Sequence, residues 1–277
     1  MGDGSRKKFE LNAVVTEKIE VTPGLFVLRV RPDGWQLPDF TPGQFAVLGL
    51  PPEAPRCALA DPEEEIPPKP GVLIRRAYSI TSSSVAKEYL ELYITLVRSG
   101  GLTPRLYALE VGDRLWLGPK ITGRFTLDEV PAEANLVLVA TGTGLAPYMS
   151  MLRTMLPEAG ERRIAVLLGA RHSWDLGYQP ELTALSAEFE RLSYVPIISR
   201  PAEEPTPWQG AAGYVQDLWR NGAVERAWGE RPTPESTRVF LCGNPAMIDD
   251  MASILAEEGY REHTRKEPGH VFVERYW

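Results

Sequence analysis

The sequence predicts two domains of different class: an all-β sheet or small barrel, then an α/β domain built on a parallel sheet. Three observations predict it. At 277 residues the chain is longer than one core ordinarily organises. From Phe9 to about Leu127 the apolar runs are short and alternating, with Gly, Pro or Asp between them. From Asn135 onward, continuous apolar runs alternate with helical stretches, the rhythm of a sheet covered on both faces.

In the first part the strands are read from FELNAVVTEKIEV, LFVLRVR, QFAVLGL, LELYITLVR and RLWLGPK. LTPRLYAL, residues 102–109, breaks the pattern. It reads as a short helix starting near Thr103, with Pro104 in the first turn, where a missing N–H costs nothing. Residues 51–71, PPEAPRCALADPEEEIPPKPG, are rich in Pro and acid and are expected to form an exposed loop.

The second part reads strand NLVLVA, helix PYMSMLRTML, strand RIAVLLGA, helix QPELTALSAEFERL and strand YVPIIS. Helix YVQDLWRNGA, strand RVFLCG, helix PAMIDDMASILAEEG and strand HVFVERYW follow. Five apolar strands with helices between them predict a five-stranded parallel sheet with right-handed crossovers. The last strand ends on Tyr276 and Trp277, a pair of rings where chain termini ordinarily fray.

Composition excludes several functions. A net charge of −7 argues against general nucleic-acid binding. Within that acidic chain, residues 71–125 are net positive, carrying Arg75, Arg76, Lys87, Arg98, Arg105, Arg114, Lys120 and Arg124. No run reaches the roughly 18–20 apolar residues that span a bilayer. The amino terminus lacks the apolar core of a signal peptide, so a cytoplasmic protein with reduced thiols is expected. Two cysteines cannot supply the four ligands of an iron–sulfur cluster, and the three histidines lack ligand spacing, so no metal is expected.

Two stretches look built for phosphate. In VATGTGLAPYM a strand gives way to a helix through Gly142, Thr143 and Gly144, a variant of the dinucleotide fingerprint with Pro147 in place of its last glycine. The next strand ends near Arg171, and the third ends at Ser199 and Arg200. Two arginines and a hydroxyl on neighbouring strand ends suit a 2′-phosphate, favouring NADP(H) over NAD(H). Tyr214 at the following turn could stack on adenine. The fourth strand ends in Cys242, before Gly243 and Pro245. In the first part, IRRAYSITSSS places Arg76 and Tyr78 on one strand face, and VRSGGLT offers a second glycine turn at Gly101, Leu102 and Thr103.

Arg-x-Tyr-Ser, Gly-Gly-Leu-Thr, Thr-Gly-Thr-Gly-Leu-Ala-Pro, Cys-Gly-Asn-Pro and a terminal Glu-x-Tyr-Trp occur here in that order. From about residue 9 to its end the chain resembles the bacterial ferredoxin (flavodoxin)–NADP⁺ reductases of the ferredoxin reductase-like flavoprotein superfamily. The resemblance implies a six-stranded antiparallel Greek-key barrel binding FAD over residues 9–128 and an NADP-binding α/β domain over 129–277. It implies that Arg76 and the Gly101–Thr103 turn, with Ala77 alongside, hold the FAD diphosphate, that Tyr78 packs on the flavin and that Ser79 bonds near N5. Thr143, Gly144 and the residues to Ala146 would cradle the NADP diphosphate, with Arg171, Ser199 and Arg200 on the 2′-phosphate. At position 214, where bacterial relatives often carry a further arginine, this chain has Tyr214, as plant-type relatives do. Tyr276 would stack on the flavin where nicotinamide must arrive, and Trp277 would fold against the FAD adenine. Ser79, Cys242, Glu274 and Tyr276 form the expected reacting shell, with Glu274 relaying a proton.

The implied activity is hydride transfer from NADPH to flavin N5, then electron transfer to a one-electron carrier, ferredoxin or flavodoxin. An acidic carrier would dock on the basic barrel stretch of a monomeric reductase. The alternatives are the reductase component of an oxygenase system, a reductase of flavins or small acceptors, and a non-catalytic nucleotide-binding protein.

Overall fold

The computed structural model describes residues 10–63, 71–158 and 160–275; Phe9, Tyr276 and Trp277 lie outside the described residues. The chain forms two compact units, one running to Arg124 and including Met149–Met151, the other comprising Phe125–Tyr148 and the chain from Leu152 onward.

The first unit contains β1 (Ala13–Thr22), β2 (Leu25–Pro32), β3 (Phe45–Leu50), β4 (Ile74–Ser79), β5 (Leu90–Thr95) and β6 (Arg114–Leu117). They form one six-stranded antiparallel sheet in the order β4-β3-β6-β1-β2-β5. Its two ends meet. Ile80 bridges Leu92, and the Thr81 N–H donates to the Glu91 carbonyl (2.8 Å). The sheet therefore closes on itself and leaves little edge to aggregate. The expected six-stranded antiparallel fold is present. Alternate residues such as Phe26, Leu28 and Val30 fill its interior with Leu48, Leu92 and Leu115. The short helix α1 (Thr103–Ala108), with Pro in its first turn, adds Leu106 to that core. The Pro- and acid-rich segment is the expected irregular surface loop over its described residues 51–63. As far as Glu63 it is fastened to the body, through bonds from Arg56 and the buried Arg105.

In the second unit, β7 (Asn135–Thr141), β8 (Ile164–Ala170), β9 (Leu192–Ile198), β11 (Thr237–Cys242) and β12 (Val271–Glu274) are the five expected strands. The helices are α2 (Ala146–Met155), α3 (Gln179–Glu188), α4 (Val215–Arg220), α5 (Ala223–Trp228) and α6 (Pro245–Glu257). Two expectations need correction. The sheet has six strands, in the order β10-β9-β8-β7-β11-β12, all parallel, because Ala211–Ala212 adds a two-residue β10 to the edge of β9. Two residues are too few to show a period. The single helix read from YVQDLWRNGA is two, because Gly222 adopts a left-handed φ of +66° between α4 and α5.

The buried strands β7 and β8 are continuous apolar runs, as sheets covered on both faces require. From β7 the chain first builds outward through β8, β9 and β10, then returns to place β11 on the other side of β7. That reversal opens a crevice at the carboxyl ends of β7 and β11, where open α/β sheets bind ligands.

Candidate dinucleotide and flavin sites

The two glycine motifs of the second unit lie on those adjacent strand ends. Cys242 is in register with Ala140 on β7 and with Glu274 on β12. A tight 3-10 turn, Gly142–Leu145, leads from β7 into α2. A side chain at Gly144 would overlap the Cys242 carbonyl, and one at Gly243 would overlap Thr141. Gly243 also holds φ at +137°, which an L side chain rarely adopts. The Asn244 N–H donates to Thr141 Oγ1 (2.8 Å), while Asn244 Oδ1 caps α6 by accepting from the N–H of Ala246 (2.9 Å). Thr-Gly-Thr-Gly and Cys-Gly-Asn-Pro are thus one packed structure. Cys242, buried, and Glu274, half-buried, are brought side by side beside it.

The expected 2′-phosphate residues also converge. Beyond the ends of β8 and β9 the ladder continues, with Ser199 N–H on the Ala170 carbonyl (3.0 Å) and Arg200 N–H on the Arg171 carbonyl (2.9 Å). The two arginines are therefore neighbours by backbone pairing, with exposed side chains. Gly213 N–H joins the Ile198 carbonyl (2.9 Å), which carries Tyr214, 67% exposed, to the same edge. Tyr214 opens α4, its N–H donating to Asp217 Oδ2 (2.8 Å).

Sequence reasoning missed the residues that stitch this edge together. The His172 ring bonds Glu203 through Nε2 (2.7 Å) and Asp175 through Nδ1 (3.2 Å), and stacks on Trp174 at 4.4 Å between centroids. Glu204 accepts from the Ser173 N–H (2.7 Å) and hydroxyl (2.6 Å). Glu203 also lies 3.6 Å from Arg200. The Glu203 bond, aided by Asp175, raises the His172 pKa above its ordinary value. Glu203 and Glu204 each stand 31 positions from the residue they bond, and no local motif encodes those pairings.

In the first unit, β4 lies beside β3, just before the Ile80–Leu92 bridge that closes the sheet, and presents Arg75, Arg76 and Ala77 to solvent. Tyr78 is half-buried, and its buried hydroxyl has no hydrogen-bond partner among the described residues. Burial pushes its pKa up. A buried phenol left unbonded is costly, so a ligand atom at that point fits the site. Ser79 is buried at the strand's end. The second glycine turn packs against the start of β4, because a side chain at Gly101 would touch Ile74. The structure therefore brings the Arg76 strand and the Gly100–Thr103 turn together. The Thr103 hydroxyl is used inside the turn, accepting from the Val97 N–H (2.9 Å) and donating to the Val97 carbonyl (3.1 Å). What the turn offers an anion is accordingly its backbone N–H groups. Among the described residues no cluster of three or more His, Cys, Asp or Glu could hold a metal ion, and no helix is long and apolar enough to cross a membrane.

Comparison with known proteins decides the family. The flavodoxin/ferredoxin–NADP reductase of Escherichia coli is 33% identical over 265 residues, covering 95% of this chain and 97% of that protein. The chain belongs to the flavodoxin/ferredoxin–NADP reductase family. A ferredoxin–NADP reductase B of Sorangium cellulosum is 38% identical over 76% of the chain and 81% of its own length. The family model for the oxidoreductase NAD-binding domain matches residues 138–253, which include both glycine motifs of the second unit. A crystal structure of a ferredoxin NADP⁺ reductase from Neisseria gonorrhoeae, with bound FAD and NADP, superposes with a TM-score of 0.78 at 27% identity, over 96% of this chain and 98% of that one.

Proposed function

We propose that this reductase takes a hydride from NADPH and passes electrons one at a time to ferredoxin or flavodoxin, with FAD held by the first unit and NADP(H) by the second. The chain is an FAD-dependent NADPH oxidoreductase of its family. The observation that carries the finer reading is the pairing of Arg171 with Arg200 beside the packed glycine turns. Each guanidinium offers a planar fork of donors suited to phosphate oxygens, and the backbone pairing sets two of them on neighbouring strand ends.

FAD supplies the step the protein cannot, accepting a pair of electrons and releasing them singly. The chain's own residues bind and orient. Arg76 and the N–H groups of Gly101 and Leu102 hold the flavin diphosphate, with Thr103 closing the turn. Tyr78 packs on the ring and its hydroxyl gains a partner. Ser79 donates near N5. Thr143 and Gly144 cradle the nicotinamide dinucleotide diphosphate, Arg171, Ser199 and Arg200 take the 2′-phosphate, and Tyr214 stacks on adenine. Cys242 and Glu274, in register on adjacent strands, line the reacting edge, with Glu274 placed to move a proton. Tyr276 and Trp277, outside the described residues, are assigned as the removable cover of the flavin and a wall for its adenine. Lys120 and Arg124, exposed on the first unit, belong to the surface that steers an acidic carrier toward a monomeric enzyme.

Stopped-flow reduction by NADPH and by NADH, followed by mixing with purified ferredoxin or flavodoxin, tests the whole reading. A yellow protein reduced faster by NADPH, whose reoxidation is accelerated by either carrier, is expected. A colourless protein, or one reoxidised only by dyes, would refute it.

A further inference from the structure

Gly100 and Gly101 are held from behind by a segment no motif foretold. Arg105, only 3% exposed, donates from Nη1 to the Gly101 carbonyl (2.6 Å) and from Nε to the Pro52 carbonyl (3.1 Å). It also makes a bidentate pair with Glu63, at 3.0 Å to Oε1 and 2.8 Å to Oε2. Arg56 donates to the Gly100 carbonyl (3.0 Å), the Arg98 carbonyl (3.1 Å) and the Asp61 carbonyl (3.0 Å), and reaches the same Glu63 Oε1 at 3.3 Å. Both glycine carbonyls are taken by guanidinium donors, and both guanidinium groups are tied to one carboxylate. The Arg105 bond holds the Glu63 carboxyl below its usual range, so the tie stays ionic at neutral pH.

Peptide geometry carries the consequence to the other side of the turn. A trans peptide is planar, so the N–H of each residue points opposite to the preceding carbonyl. Fixing the carbonyls of Gly100 and Gly101 fixes the N–H groups of Gly101 and Leu102 facing away from the arginines. Among the described residues those two N–H groups meet no acceptor. A Gly-Gly pair left to itself samples both signs of φ at little cost, so its peptides could turn either way. Such a turn presents donors in one direction only if something restrains the carbonyls.

We propose that the segment 51–63, through Arg56, Glu63 and Arg105, is a positioning device that presents the Gly101 and Leu102 N–H groups to the flavin diphosphate and so sets the preference for FAD over FMN. It rests on the reading that this turn receives that diphosphate. Glu63 and Arg56 are positioning residues here, since they act through the turn. Glu63 is 46% exposed at its side chain, so its replacement opens no core cavity.

The test is titration of the apoprotein with FAD and with FMN, followed by flavin fluorescence, for wild type, Glu63→Gln and Arg56→Gln. FMN lacks the diphosphate bridge and serves as the internal control. Both variants are expected to bind FAD about tenfold more weakly, the scale of one charge-assisted bond. FMN affinity and the binding of NADP⁺ should be unchanged, and Glu63→Asp should recover part of the loss. FAD affinity equal to wild type, or an equal loss for FAD and FMN, would overturn the proposal while leaving the diphosphate reading in place. A wild type that binds FMN as tightly as FAD would remove that reading and the proposal with it.

Discussion

Replacing Arg200 by Gln isolates the 2′-phosphate from every other part of the nucleotide. The Arg200 backbone is paired with the Arg171 carbonyl (2.9 Å), so the ladder survives loss of the side chain. The ion pair with Glu203 at 3.6 Å, between side chains 49% and 57% exposed, contributes little on its own. If Arg200 takes the 2′-phosphate, as proposed, what disappears is a charge-assisted bond worth about 1.5–3 kcal/mol. Half exposure places Arg200 near the lower bound. That corresponds to roughly a tenfold weaker NADPH complex, because about 1.4 kcal/mol is one decade. NADH, which lacks the 2′-phosphate, should bind as before. The assay is the dissociation constant of NADP⁺ and NAD⁺, or KM for NADPH and NADH with ferricyanide as acceptor. A loss shared equally by both nucleotides, or none for NADPH, would refute the assignment of this edge.

Gly144→Ala forces a methyl group against the Cys242 carbonyl, and should cost about 1–3 kcal/mol of stability together with nicotinamide affinity; unchanged thermal unfolding and KM would show that the two turns are not pressed together. His172 has a raised folded pKa, so its bonds to Glu203 and Asp175 should stabilise the protein most below about pH 6.5, fading as pH rises through the folded value. Comparing unfolding of wild type and His172→Gln across that range checks the sign, and a pH-independent difference would contradict it. Lys120→Glu with Arg124→Glu should slow reduction of an acidic carrier at low salt more than reduction of ferricyanide, with the gap closing as salt screens the charges; rates that fall together would count against docking on this surface.

Much of the fold was legible because its elements are periodic. Alternation marked the barrel strands, continuous apolar runs marked β7 and β8, and Pro104 marked the start of α1. The glycine motifs were legible too, since turns at strand ends need residues without a side chain. The two-residue β10 and the break at Gly222 were not, because neither carries enough residues to show a pattern.

The sequence by itself determined which residues could bind phosphate and in what order they occur, because local chemistry and spacing are written along the chain. Only the tertiary structure decided which of them meet. Pairing past the ends of β8 and β9 made Arg171 and Arg200 neighbours, and the reversal of strand order pressed Gly144 against Cys242. Arg105 closes on Pro52 and Glu63 from 53 and 42 positions away. Such contacts depend on how the whole sheet closes, a property no window of neighbouring residues contains.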